Sequence, residues 1–257
     1  ENTLTQLGDL CRDLEVSRVL LVSDPGLVQA GHCEKARQSL KKANITNFLF
    51  DQVEENPSTR HVDLGLEFAQ KHSPIDCIIA LGGGSPMDCA KGINFLLTNG
   101  GKMEDYWGTD KASHPMLPSI GIPTTAGTGS ESQRFALITQ ERDHQKMACG
   151  DSKALFQTVI LDPVLTKTLP KTVTAITGLD AIAHALESYV CTERTSMSQM
   201  LAREAWRLLN GNFEMVIESP ENLESRADML WGAHFAGAAI ENSMLGAAHA
   251  CANPLTI

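Results

Sequence analysis

Two rhythms of apolar residues follow one another along this chain. In the first two-thirds, short apolar runs alternate with amphipathic stretches. Ser17–Ser23 (SRVLLVS) reads as a buried strand closed by Asp24-Pro25-Gly26. His32–Ala43 fits a surface helix, Asn47–Phe50 a second strand, Thr59–Lys71 a helix and Asp76–Leu81 a third strand. Pro86–Leu97 fits a helix opened by the glycine loop before it, and Ser119–Pro123 and Thr158–Leu161 are two more strand candidates. Strands alternating with longer helices predict a mainly parallel, Rossmann-like sheet covered on both faces.

After Pro170 the rhythm changes. Thr172–Val190, Ser196–Asn210 and Leu223–Ile240 carry apolar residues at three- and four-residue spacing, and no strand pattern remains. Small residues crowd Gly232–Ala239 and Leu245–Ala252, which suits close helix packing. The expected boundary falls at Leu169-Pro170, with an α/β domain over 1–170 and an all-α domain over 171–257.

Composition narrows the function classes. With 42% hydrophobic and 20% charged residues the chain is globular, and no run approaches the length of a membrane span. A net charge of −10 opposes binding to nucleic acid or anionic lipid. It says nothing against a cofactor's phosphates, which a few backbone N–H groups can hold. No leader pattern is visible, and seven scattered cysteines without a C-x-x-C pair read as reduced thiols of a cytoplasmic protein.

Five stretches carry candidate chemistry. Gly82-Gly83-Gly84-Ser85-Pro86-Met87-Asp88 follows a strand and opens a helix, so free N–H groups face an anion there; a tight turn is the plain alternative. Pro123–Glu131 (PTTAGTGSE) also follows a strand and offers small hydroxyls as a ligand lining, or is simply a Ser/Thr-rich loop. Asp24 at a strand end suits a ribose hydroxyl and repels a 2′-phosphate, yet Asp before Pro-Gly is equally a turn residue. Asp180 and His184 share a helix face in GLDAIAHALE and suit a divalent metal of borderline hardness or a surface hydrogen bond. A third ligand must then come from another helix, and His249 in LGAAHA is the natural candidate. His32, His61, His72, His114 and His144 sit in polar surroundings and read as solvated; His234 reads as a cleft or core histidine.

Together these pieces resemble the iron-dependent (group III) alcohol dehydrogenase family. The matches are DPGL (24–27), GGGSPMD (82–88), PTTAGTGSE (123–131), GLDAIAHALE (178–187) and LGAAHA (245–250), in family order. The resemblance implies a dehydroquinate synthase-like architecture, incomplete here at both ends, with a metal in the cleft between its domains. It implies that Asp24, Gly83, Gly84, Ser85 and Asp88 meet NAD, or NADP. It further implies that Thr124, Thr125 and Thr128 line the nicotinamide side and that Lys146 reaches a ribose. Asp180, His184 and His249 would bind Fe2+, or Zn2+, and the family's fourth ligand, another histidine, lies past Ile257. The implied activity is interconversion of a small alcohol and its aldehyde or ketone by a homo-oligomeric enzyme. A same-fold glycerol dehydrogenase or hydroxyacid–oxoacid transhydrogenase is the alternative, and an inactive nucleotide-binding scaffold that of another class. Ser132-Gln133 and Phe135 depart from the family pattern after TTAGTGSE.

Overall fold

A computed structural model describes residues 1–252. They fall into two compact units, Asn2–Pro123 with Arg134–Ile160, and Thr124–Gln133 with the chain from Leu161 onward. The units are therefore not two consecutive stretches meeting at Pro170.

In the first unit, strands β1 (Arg18–Val22), β2 (Thr46–Phe50), β3 (Cys77–Gly82), β5 (Ser119–Pro123) and β8 (Thr158–Val159) form one sheet in the order β2-β1-β3-β5-β8. Every pairing in it is parallel. Leu20 pairs with Phe48 on one side and Ile78 on the other. All six residues of β3 are buried, as a central strand covered on both faces requires. Helices α1 (Leu7–Asp13), α2 (Pro25–Gln29), α3 (His32–Lys42), α4 (Thr59–Lys71) and α5 (Gly84–Asn99) belong to this unit. The core gathers Leu20, Phe50, Val62, Ile78, Ile93 and Phe95.

A second sheet lies outside the sequence expectation. It is ordered β4-β7-β6, from β4 (Gly108–Thr109), β6 (Phe135–Thr139) and β7 (Lys146–Gly150), with β6 and β7 antiparallel. Phe135–Thr139 alternates half-buried and buried positions, a period-2 signal too short to stand out beside the polar turn that follows.

The second unit is helical: α6 (Lys171–Val190), α7 (Ser196–Glu218), α8 (Leu223–Glu241) and α9 (Ala247–Ala252). Caps set their starts. Thr195 Oγ1 accepts the Ser198 N–H at 3.0 Å while Ser198 Oγ accepts that of Thr195, and Asn222 Oδ1 accepts the Ser225 N–H. Small residues (Ala181, Ala185, Ala205, Ala233, Ala236) pack with Leu209 and Met229 in its core. Helix α7 runs eight residues past Asn210, because Gly211 is accommodated in open space and Val216 continues the buried stripe.

The loop Thr124–Gln133 joins this unit through backbone contact. Gly129 has φ +62°, and a Cβ there would stand 2.7 Å from Gly237 Cα and 2.9 Å from Ala233 O on α8. Only glycine admits both that conformation and that approach. Among the described residues no helix is long and apolar enough to cross a membrane.

Candidate metal centre

Helix α6 places Asp180, His184 and Glu187 on one face, at i, i+4 and i+7. Asp180 Oδ1 lies 3.4 Å from His184 Nε2. Helix α9 brings His249 Nε2 to 3.2 Å from the same oxygen and lays its ring against that of His184, centroids 4.6 Å apart. One ligand atom from each of the three lies within 4.8 Å of the other two. Two donors held about 2.1 Å from one ion at a tetrahedral angle stand about 3.4 Å apart, so the spacing around Asp180 Oδ1 fits a shared cation. The donor set also fits: two imidazole nitrogens and a carboxylate oxygen suit Fe2+ or Zn2+ and discriminate little between them.

The electrostatics differ across the trio. Burial pushes the His184 imidazole below its ordinary range, against the pull of Asp180. Its buried Nδ1 finds no hydrogen bond of ordinary geometry among the described residues, although the Gly127 backbone lies close enough to favour the protonated ring. His249 is shifted upward, first by its hydrogen bond with Asp180 and, against some burial, by Glu187. Burial raises the Glu187 carboxyl, but the His249 ring and the N–H groups of Gly246 and Ala248 outweigh it and hold it below its ordinary range. Glu187, which the motif reading did not single out, meets the ring of His249 at 2.6 Å. Its signal was present: a third polar residue on the ligand face of an otherwise apolar helix.

The candidate nucleotide residues are placed as follows. Gly83 caps α5 and Gly84 begins it, two residues earlier than the apolar pattern suggests. Ser85 Oγ accepts the Asn56 N–H at 3.2 Å, and Asn56 Oδ1 accepts Lys146 Nζ at 3.1 Å. Asn56, unread in the sequence, thus links two predicted residues into one chain. Asp88 is 9% exposed and stands 3.9 Å from Lys91 Nζ. Asp24 caps α2, its Oδ1 accepting the Leu27 N–H at 3.0 Å, so one oxygen does the work of a turn residue. Thr124 is buried, and Thr125 and Thr128 are half-buried. Thr128 Oγ1 accepts the Ser130 N–H at 3.3 Å.

The residues that depart from the family pattern have local tasks. Gln133 Nε2 donates to Thr128 O at 2.8 Å, and Ser132 Oγ to His234 O at 3.1 Å. His234 is hydrogen-bonded, with Glu131 as partner. His32, read as solvated, is instead 1% exposed: it opens the inward stripe of α3, His32-Cys33-Ala36-Ser39-Leu40, whose first turn is masked by polar neighbours in the sequence.

Residues 1–163 match the family model for iron-containing alcohol dehydrogenases, and 174–257 match the C-terminal model of the same family. Alcohol dehydrogenase 4 of Schizosaccharomyces pombe is 39% identical over 252 residues, covering 97% of this chain and 60% of the relative. The 1,3-propanediol dehydrogenase of Citrobacter freundii is 35% identical, covering 99% of this chain and 66% of its own length. The chain thus spans less than two-thirds of these relatives. A crystal structure of 1,3-propanediol oxidoreductase superposes with a TM-score of 0.96 at 34% identity, covering 99% of this chain and 66% of that one. Sulfoacetaldehyde reductase from Bifidobacterium kashiwanohense in complex with NAD+ superposes with a TM-score of 0.91 at 26% identity, covering 100% and 68%. Motif order, a parallel sheet followed by a helical unit, and the two family matches agree: the chain belongs to the iron-containing alcohol dehydrogenase family.

Proposed function

We propose that the full-length protein interconverts a small alcohol and its aldehyde or ketone with NAD(P), using a divalent metal held by Asp180, His184 and His249. The observation that carries this reading is the meeting of two imidazole nitrogens and one carboxylate oxygen from two helices. The names of the relatives, alcohol and 1,3-propanediol dehydrogenases, support the substrate class, and the NAD+ complex of a structural neighbour supports the cofactor.

When bound, Fe2+ or Zn2+ supplies Lewis acidity toward an alcohol oxygen, and the nicotinamide supplies the hydride acceptor. Asp180 carries the only formal charge among the three donors, so the set does not neutralise a dication. Burial lowers the His184 pKa and so favours the neutral ring, whose Nε2 faces Asp180. Gly83, Gly84 and Ser85 turn the N-terminus of α5 outward for a pyrophosphate, and Lys146, Asp88, Asp24, Thr124, Thr125 and Thr128 complete the nucleotide contacts in this reading. Six cysteines buried as thiols support a reducing, cytoplasmic setting.

Metal analysis with an alcohol panel on the full-length protein tests the proposal. His249→Ala and Asp180→Asn should lose turnover and stoichiometric metal while NAD binding stays close to wild type. Full metal content and full turnover in both variants would overturn it.

A further inference from the structure

We propose that Glu187 is the positioning residue of this centre: it fixes the tautomer and orientation of His249 and holds α9 in place, so that metal affinity depends on a carboxylate that does not touch the ion. The inference rests on the metal reading above and deepens it.

Glu187 is 8% exposed, and both of its oxygens are engaged. Oε1 accepts the Ala248 N–H at 2.5 Å. Oε2 takes the Gly246 N–H at 3.1 Å and faces His249 Nδ1 at 2.6 Å. Backbone N–H groups can only donate, so these carboxylate oxygens accept, and Nδ1 beside them is the protonated nitrogen. A neutral imidazole protonated on Nδ1 carries its lone pair on Nε2, the nitrogen aimed at Asp180 Oδ1. A lone pair facing a carboxylate oxygen at 3.2 Å is repulsive unless a cation or a proton lies between them. With a proton there the ring hydrogen-bonds Asp180; where a cation replaces that proton, Glu187 keeps Nδ1 protonated and Nε2 available to it. A carboxylate behind a ligating histidine is the usual way such a ring is oriented.

Among the described residues, none in α9 is buried. Its first turn is gathered by one carboxylate through two backbone N–H groups and the ring of His249. Gly246 lies close against this carboxylate: a Cβ there would stand 3.2 Å from Glu187 Oε1 and 3.3 Å from its carboxyl carbon. Glu187→Gln keeps the shape, but its NH2 cannot accept where the carboxylate now accepts on both oxygens.

The test uses the full-length protein, stripped with a chelator and titrated with Zn2+ against a chromophoric competitor, with folding followed by circular dichroism. Glu187→Gln should bind Zn2+ about 10–100-fold more weakly, the range for an outer partner of a ligating histidine. Asp180→Asn should lose binding altogether. In Zn2+-loaded wild type, imidazole 15N shifts should show His249 protonated on Nδ1 and metallated on Nε2, a readout that stands even if the variant does not fold. Wild-type Zn2+ affinity in Glu187→Gln beside a dead Asp180→Asn would overturn the proposal, as would metallation of Nδ1. Wild-type affinity in Asp180→Asn as well would bring down the metal reading itself.

Discussion

Glu131 Oε1 meets His234 Nδ1 at 3.2 Å, joining the hydroxyl-bearing loop to α8 across 103 residues of sequence. Glu131 is 4% exposed, and Ser132 Oγ reinforces the junction by donating to His234 O. Removing the ring leaves a buried carboxylate short of a partner. His234→Ala should destabilise the protein by about 1–3 kcal/mol, the cost of an unsatisfied buried polar group. His234→Asn, which retains a donor, should recover part of that. Urea unfolding decides; a midpoint equal to wild type in the alanine variant would mean the contact is idle.

The glycine loop should govern nucleotide affinity more than any single side chain. Backbone N–H groups at the start of α5 are the phosphate donors in the proposed function, and a branched side chain at Gly84 would occupy the approach to them. Gly84→Val is expected to weaken NAD binding at least tenfold, or about 1.4 kcal/mol, with the fold retained. Calorimetry showing unchanged affinity would remove the loop from the cofactor site.

NAD should be preferred to NADP. Asp24 stands at the end of β1, and Asp51 and Glu54, beyond the end of β2, line an open cleft beside Pro25 in which Arg60 is the one cation among the described lining residues. Negative charge there repels a 2′-phosphate. Asp24→Gly should narrow the preference without abolishing it, because two carboxylates remain. Equal kcat/KM for both cofactors in wild type would leave Asp24 as the cap of α2 and nothing more.

Acid stability should depend on Asp151. Burial raises its pKa, but the N–H groups of Lys153 and Ala112 and the Lys153 ammonium outweigh it and lower the carboxyl below its ordinary value of 3.8. Its oxygens accept at 3.0 Å from both N–H groups and at 3.2 Å from Lys153 Nζ. A depressed folded pKa contributes stability that is complete above the unfolded pKa and is lost as pH falls through the folded one. The stability gap between wild type and Asp151→Asn should therefore be constant at neutral pH and shrink below the ordinary carboxylate pKa. A gap that stays constant down to the acid transition would rule the mechanism out.

The major sheet and the three long helices were legible because their signals are strong: β3 is a continuous apolar run, and α6 to α8 repeat at helical spacing. Asp180 and His184 were legible as a pair from their spacing, and His249 only as a candidate third member, since it is brought to Asp180 by tertiary packing and not by spacing. Glu187 escaped notice because a glutamate in a helix is ordinarily solvated, and nothing local reveals that Gly246 and Ala248 will dock on it. The β6–β7 hairpin was missed for the opposite reason: its strands are short, and half of their positions are only partly buried. Asn56 sits in a bend with φ +54°; that its backbone N–H and side-chain oxygen join Ser85 to Lys146 depends on where two distant elements arrive.

The chain passes repeatedly between its two compact units. It crosses from one to the other after Pro123, after Gln133 and after Ile160. A piece beginning at Lys171 would lack Gly129, against which Gly237 packs, and Thr166, whose carbonyl and hydroxyl hold the buried Arg226 guanidinium at 2.7 and 3.2 Å. Neither unit is a cassette that can be excised, expressed or transplanted at a single cut. A change in the hydroxyl-bearing loop must also satisfy α8, so that loop and the helical unit are constrained to diverge together.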